Sequence, residues 1–362
     1  MGGHMRKLQL RELHPGMITA EDIFAIDGRM IVPAGIVLTD NVILKLESFD
    51  IFSIKVEDQE ITSSAIADVA ELSYNQKVRL SPEFQEFKSD YEDNVNSFHS
   101  ALNELIEKNS EVDTEQLLSQ TMGLLSRSGG SVTVMDMLLN MRDYDDSTYA
   151  HSINVALICN IFAGWLRFNE EEKKIATACG LFHDLGKLMI PEEIIKKPGR
   201  LTEAEFEIVK KHPIEGYKIL DEFNVSQEIK DAALMHHEKC DGSGYPYGFT
   251  ADKISKYAKL VTIVDIYDAM TSMRVYRQAL CPFSVITAFE NEGLQKYDPQ
   301  FILTFLENVV NCFVNQRVRL NNGLEGDIIY INPVQLGRPT VKCGSQFVDL
   351  STHKEISIEA II

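Results

Sequence analysis

Apolar and polar positions follow three different rhythms along the chain. From Leu8 to Val56, short apolar stretches are broken by the turn signals His14-Pro15-Gly16, Asp27-Gly28 and Pro33-Ala34-Gly35. Asp27-Gly28 between two apolar runs predicts a hairpin, and Val42 to Phe49 reads as a short helix begun by the Thr39-Asp40 cap. This segment is expected to be a small β-rich module. From Pro82 to Lys108 the rhythm becomes helical, with Phe87, Tyr91, Val95, Phe98, Leu102 and Leu105 recurring at threes and fours. The single stripe they form is expected to pack on the chain itself or on a second copy.

Helical periodicity then dominates from Thr114 to Cys312, including Ser152 to Leu166, Glu171 to Leu185, Thr202 to Asp221, Ile229 to His237 and Tyr257 to Ser272. From Val314 alternation returns, and Asn322-Gly323 between two alternating runs marks a hairpin in a small closed or curled β domain. The expected fold is therefore mainly α. A central all-helical domain (residues 114–312) is flanked by a β-rich N-terminal module (6–60), a helical linker (61–113) and a C-terminal β domain (313–362). Linkers are expected near 61–71 and 311–315.

Length and charge narrow the function classes. A chain of 362 residues exceeds one ordinary core. A net charge of −19 opposes nucleic acid polymers, whose phosphates need a broad basic surface. A small anionic ligand stays compatible, because bound cations and a few placed Arg and Lys residues reverse the field locally. No apolar run approaches the roughly 18 residues needed to cross a bilayer. Met1-Gly2-Gly3-His4-Met5 reads as a cloning remnant, with no signal peptide behind it and a native start near Met5. The six cysteines (Cys159, Cys179, Cys240, Cys281, Cys312, Cys343) form no C-x-x-C pair, which is the pattern of reduced thiols in a cytoplasm.

The candidate chemistry is concentrated in the helical region. Five of the nine histidines, His151, His183, His212, His236 and His237, fall between 151 and 237, accompanied by Asp184 and Asp265. A core histidine that serves only packing usually stands alone, so the clustering points to metal ligands. Apolar flanks such as Leu260-Val261-Thr262-Ile263-Val264 place Asp265 in a core, where a carboxylate needs a cation. Imidazoles with a few carboxylates and no thiolate suit iron, manganese, nickel or zinc better than magnesium or calcium. Two divalent transition-metal ions are expected, with iron or manganese preferred. Asp184 is the candidate bridge, having two carboxylate oxygens. Paired ions of this kind activate water and clamp phosphoryl oxygens, which is phosphodiester chemistry.

Further residues complete this reading. Lys187, one turn after Asp184, is placed to steady a phosphate or a bridging water. Asp268 follows Asp265 by one turn and is grouped with Asp184 and Lys187 as catalytic. In Cys240-Asp241-Gly242-Ser243-Gly244-Tyr245-Pro246, Gly244 is expected to let the backbone approach a substrate and Tyr245 to offer a stacking face for a base. Arg274 and Arg277 are expected to clamp phosphate oxygens as guanidinium forks.

The motifs His183-Asp184-Leu185-Gly186-Lys187, His236-His237-Glu238-Lys239, Asp241-Gly242-Ser243-Gly244-Tyr245-Pro246 and Val264-Asp265-Ile266-Tyr267-Asp268-Ala269-Met270-Thr271-Ser272 closely resemble the HD-GYP family over about residues 115–312. The resemblance implies a helical phosphodiesterase of cyclic di-GMP with two or three metals. By it, His151, His183, Asp184 and Asp265 would hold one ion and Asp184, His212, His236 and His237 the other. Lys187, Arg274 and Arg277 match positions that contact substrate phosphates. Two departures stand out. Ser147 replaces the glutamate that trimetal members place four residues before the first histidine, and Cys240 replaces an aromatic residue before Asp-Gly.

The expected activity is hydrolysis of cyclic di-GMP to pGpG, with slow onward hydrolysis to GMP, by attack of a metal-bound hydroxide on phosphorus. The alternatives are a cyclic dinucleotide receptor with incidental turnover, and a phosphodiesterase of cyclic GMP-AMP. The expected partners are the cyclic dinucleotide and a second copy of the chain, paired through the helical linker.

Overall fold

The computed structural model describes residues 5–57, except 15, 25–29, 33, 35, 37, 39–41, 44–45, 47–50 and 52, together with 74–108, 113–126, 131–141, 148–197, 199–272 and 279–362. The chain divides into two units, Met1–Ser73 and Tyr74–Ile362.

In the first unit, strand β1 (Met5–Gln9) pairs antiparallel with β4 (Ser53–Glu57), and β2 (Ile23–Phe24) pairs with β3 (Met30–Val32). Leu13, Met17, Ile23, Val32, Leu38, Leu46, Ile54 and Val56 make its core. The strands bear out a β-rich start to the chain. Asp27-Gly28 and Thr39-Asp40 lie outside the described residues, while Val42, Ile43 and Leu46 are helical.

The second unit is mainly helical. After α1 (Tyr74–Leu80), the long helix α2 (Pro82–Lys108) buries Phe84, Phe87, Tyr91, Val95, Phe98 and Leu102. Their spacing of three and four residues puts all six on one face. Tyr91 donates its hydroxyl to Asn154 Oδ1 at 2.7 Å. The stripe is thus covered by the chain itself, one of the two packings its pattern suggested. Helices α3 (Thr114–Ser126), α4 (Ser131–Met141), α5 (Thr148–Trp165) and α6 (Glu170–Phe182) follow. Helix α6 starts on a reciprocal cap, in which Asn169 accepts from the Glu172 amide and Glu172 accepts from the Asn169 amide. It crosses α5 closely at Gly180, where a Cβ would lie 2.8 Å from Ala156 Cα.

Short helices α7 (Glu192–Ile195) and α8 (Glu203–Val209) lead to α9 (His212–Asp221) and α10 (Gln227–Met235). Helix α11 (Lys256–Thr271) buries Leu260, Val261, Ile263, Val264 and Tyr267, and α12 (Pro282–Lys296) and α13 (Pro299–Val309) close the helical part. No helix among the described residues is long and apolar enough to cross a membrane. All six cysteines are free thiols, and burial pushes that of Cys312 up to about 12.

The C-terminal sheet comprises β5 (Arg317–Leu320), β6 (Glu325–Tyr330), β7 (Thr340–Cys343), β8 (Gln346–Asp349) and β9 (Ile358–Ile361), in the order β8-β7-β6-β5-β9 with antiparallel neighbours. Asn322-Gly323 does turn the chain between β5 and β6, with Gly323 at φ +84°. The sheet is open rather than closed, since β8 and β9 are both edges. Register shifts at Arg319/Leu320 and Ile328/Tyr330 interrupt the regular pairing of its strands. Val318, Leu320, Ile328, Val341 and Leu350 join the same core as Phe283 and Phe313.

Candidate metal centre

Local backbone choices bring the ligand types together. His183 ends α6, and Asp184 leaves helical geometry at φ −99°, ψ 8° before a 3-10 turn, Leu185–Met189. That turn abuts α9 so closely that a Cβ on Gly186 would lie 1.9 Å from the His212 carbonyl oxygen and 2.4 Å from the Gly216 amide nitrogen. Glycine at 186 lets the turn pack on α9, which brings Asp184 Oδ1 to 3.4 Å from His212 Nε2. His236 and His237 follow the end of α10, while His151 on α5 faces Asp265 on α11.

Asp184 stands in the middle. Its Oδ1 lies 3.4 Å from His212 Nε2 and 3.6 Å from His236 Nε2, and its Oδ2 lies 3.4 Å from His183 Nε2 and 3.7 Å from His151 Nε2. Asp265 Oδ1 lies 3.1 Å from His151 Nε2 and 3.8 Å from His183 Nε2, and its Oδ2 lies 3.9 Å from His237 Nδ1. The far nitrogens are anchored. Nδ1 of His183, His212 and His236 donates to the carbonyl three residues earlier (Gly180, Val209 and Ala233) at 2.7 to 2.8 Å. His151 Nδ1 donates to Asp268 Oδ2 at 2.7 Å. In all four rings this assigns the lone pair to Nε2, pointed inward.

Such an arrangement calls for cations. His212 Nε2 and His236 Nε2 face each other at 3.2 Å, and His183 Nε2 and Asp184 Oδ1 are buried without a hydrogen-bond partner. Buried acceptors left unpaired are costly, and a divalent ion satisfies several at once. The donors form two groups, Asp184/His212/His236/His237 and His151/His183/Asp265, each with its ligand atoms within 4.8 Å of one another. Imidazole and carboxylate donors without thiolate fit divalent metal ions.

The electrostatics prepare these groups for binding. Burial alone would raise the Asp184 carboxyl, but the Lys187 ammonium and the His183, His236 and His212 rings outweigh it and hold the group well below the usual carboxylate range. Asp265 is likewise depressed against its burial by His151, His183 and His237. Burial pushes His212 down to about 3, with Asp184 opposing, and lowers His236 and His237 as well. These three imidazoles are therefore neutral near pH 7, the form that binds a metal. Lys187 Nζ pairs with Asp184 Oδ2.

Residues 133–301 match the HD domain family. These residues form an HD domain. A cyclic di-GMP phosphodiesterase of Pseudomonas aeruginosa is 35% identical over 206 residues, covering 57% of this chain and 50% of that protein. The 3'3'-cGAMP-specific phosphodiesterase 1 of Vibrio cholerae is 33% identical over 167 residues, covering 45% of this chain and 39% of that protein. The chain thus spans half or less of the length of these curated relatives. A solved HDG"Y"P protein from Bdellovibrio bacteriovorus covers 84% of this chain with 13% identity and a TM-score of 0.47.

Within the HD domain, three of the expected site residues have protein partners of their own. Asp268 stands behind His151, accepting a hydrogen bond from its Nδ1 on one oxygen and from the Ser272 hydroxyl on the other at 3.2 Å. These contacts hold the His151 ring from the side away from Asp184 and Asp265. Tyr245 stacks on His237 at 4.6 Å between centroids and 24° between planes, and meets Phe206 edge-on at 6.2 Å. One face of the ring expected to receive a base is thus packed on a candidate ligand. The close approach Gly244 allows is to the chain itself, because a Cβ there would lie 2.5 Å from Glu238 Cα and the His237 carbonyl. Arg274 and Arg277 lie outside the described residues, as does Ser147. One residue without an expected role stands out. Glu238 is buried, and its carboxylate accepts from the amides of Tyr247 and Phe249. Its position directly after two candidate ligands was the available signal.

Proposed function

We propose that the HD domain hydrolyses a cyclic dinucleotide, cyclic di-GMP, to pGpG, using two divalent ions, iron or manganese, held by His151, His183, Asp184, His212, His236, His237 and Asp265. The observation that carries this is Asp184, which turns one oxygen toward each histidine group with Oδ1 buried and unpartnered. Bound ions would supply Lewis acidity toward a phosphoryl oxygen and lower the pKa of water. The chain's own residues do the rest. Neutral imidazoles held by their Nδ1 bonds keep the two groups at fixed spacing. Lys187, one turn from the bridging carboxylate, steadies a non-bridging phosphate oxygen, and Arg274 and Arg277 clamp the same phosphates. With Ser147 in place of a carboxylate, two ions saturate the site and pGpG accumulates before GMP. The free thiols and the nucleotide substrate fit a cytoplasmic setting.

A second reading keeps the chemistry and takes cyclic GMP-AMP, because the Vibrio cholerae relative with that specificity is about as similar as the Pseudomonas aeruginosa one. The deciding experiment combines metal analysis of anaerobically purified protein with product time courses on cyclic di-GMP and 3'3'-cyclic GMP-AMP. Protein that carries two ions per chain, binds either dinucleotide and turns over neither would replace the enzyme by a receptor. Three ions per chain, or GMP without a pGpG lag, would refute the two-ion site.

A further inference from the structure

His237 differs from the other candidate ligand histidines. Those four give Nδ1 to a carbonyl or to Asp268 at 2.7 to 2.8 Å, whereas the nearest acceptor recorded for His237 Nδ1 is Asp265 Oδ2 at 3.9 Å, beyond hydrogen-bond reach. Ring contacts orient His237 instead. His236 lies at 4.1 Å, His212 meets it edge-on at 4.9 Å, and Tyr245 stacks on it at 4.6 Å.

Tyr245 belongs to a loop that runs from Asp241 to Thr250, and that loop is fastened by the residue next to His237. Glu238 is 1% exposed, and its two carboxylate oxygens accept the Tyr247 amide at 2.7 Å and the Phe249 amide at 3.0 Å. Charge-assisted bonds of this kind are strong, and a buried carboxylate that lost them would be costly. The Tyr245 amide also donates to the His237 carbonyl at 3.2 Å, and Gly244 permits the loop to touch the 237–239 backbone.

We infer that Glu238 is a positioning residue that acts through Tyr245. By fastening the 241–250 loop it holds the Tyr245 ring against His237, supplying the anchor that the other histidines take from hydrogen bonds. The kinetic consequence rests on the phosphodiesterase reading, but the structural one does not.

The test uses the full chain with Mn²⁺ as probe and the variants Glu238→Gln, Tyr245→Ala and both together. In Glu238→Gln an amide group faces one of the two donors, so that peptide N–H loses its acceptor. Amide exchange in the 241–250 loop should speed up by about tenfold or more, while the helical ellipticity and the exchange of Lys256–Thr271 stay unchanged. Mn²⁺ affinity should fall about tenfold in each single variant, and the double variant should fall no further. Effects that multiply in the double variant would overturn the inference, as would unchanged exchange and affinity in Glu238→Gln. If Glu238→Gln does not fold, unchanged Mn²⁺ affinity in Tyr245→Ala overturns it alone. A wild-type protein without dinucleotide hydrolysis would sink the proposed function, yet exchange and Mn²⁺ affinity would still decide the role of Glu238.

Discussion

Replacing Asp268 separates orientation from coordination. The carboxylate accepts hydrogen bonds from His151 Nδ1 at 2.7 Å and from the Ser272 hydroxyl at 3.2 Å, and both His151 and Asp268 are buried. Asp268→Ala leaves the imidazole N–H without its acceptor in a dry site. A hydrogen bond to a charged group contributes about 1.5–3 kcal/mol, and at about 1.4 kcal/mol per decade that is roughly a ten- to hundredfold loss of metal affinity. Asp268→Asn is milder by construction. Its oxygen still accepts from His151 and its amide still donates to the Ser272 oxygen, so both of these bonds survive without the carboxylate charge and the effect should stay near tenfold. Competitive chelator titration with Mn²⁺ should therefore resolve two classes of site, one weakened at His151/His183/Asp265 and one unchanged at the His212 group. Equal weakening of both classes, or a larger effect for Asn than for Ala, would refute an orienting role.

Asp184→Ala should abolish both ions together with activity, because the one carboxylate faces both groups; retention of one tight ion by elemental analysis would sink the bridge. Lys187→Ala, Arg274→Ala and Arg277→Ala should keep their metal content and lose dinucleotide affinity or rate, and loss of metal would move them to a structural role. The metal-free protein should lose stability as pH falls from about 6.5 toward 3, because His212 titrates near 3 when folded and near 6.5 when unfolded, so the unfolded chain binds more protons in that window. The depressed His236 and His237 act in the same direction, and a melting temperature that is flat from pH 7 to pH 5 would contradict this.

Local pattern was enough for much of this protein. Helical period, the α2 stripe, the Asn322-Gly323 hairpin and the β-rich ends depend on neighbours within a turn or a strand, so the chain announces them. The candidate ligand residues were legible too, because histidines and aspartates clustered in apolar helical surroundings suit a bound cation where those helices meet. What tertiary structure decided is who faces whom. Asp268 is spaced one turn from Asp265, which suggests a shared face, yet only the crossing of α5 and α11 puts it behind His151, 117 residues earlier. The Gly-Ser-Gly-Tyr-Pro loop shows flexibility and an aromatic ring in sequence, but whether that ring meets substrate or His237 depends on Glu238 being drawn inward to cap two loop amides. Helical period says which side of a helix a residue occupies, and the packing of distant helices says what lies opposite.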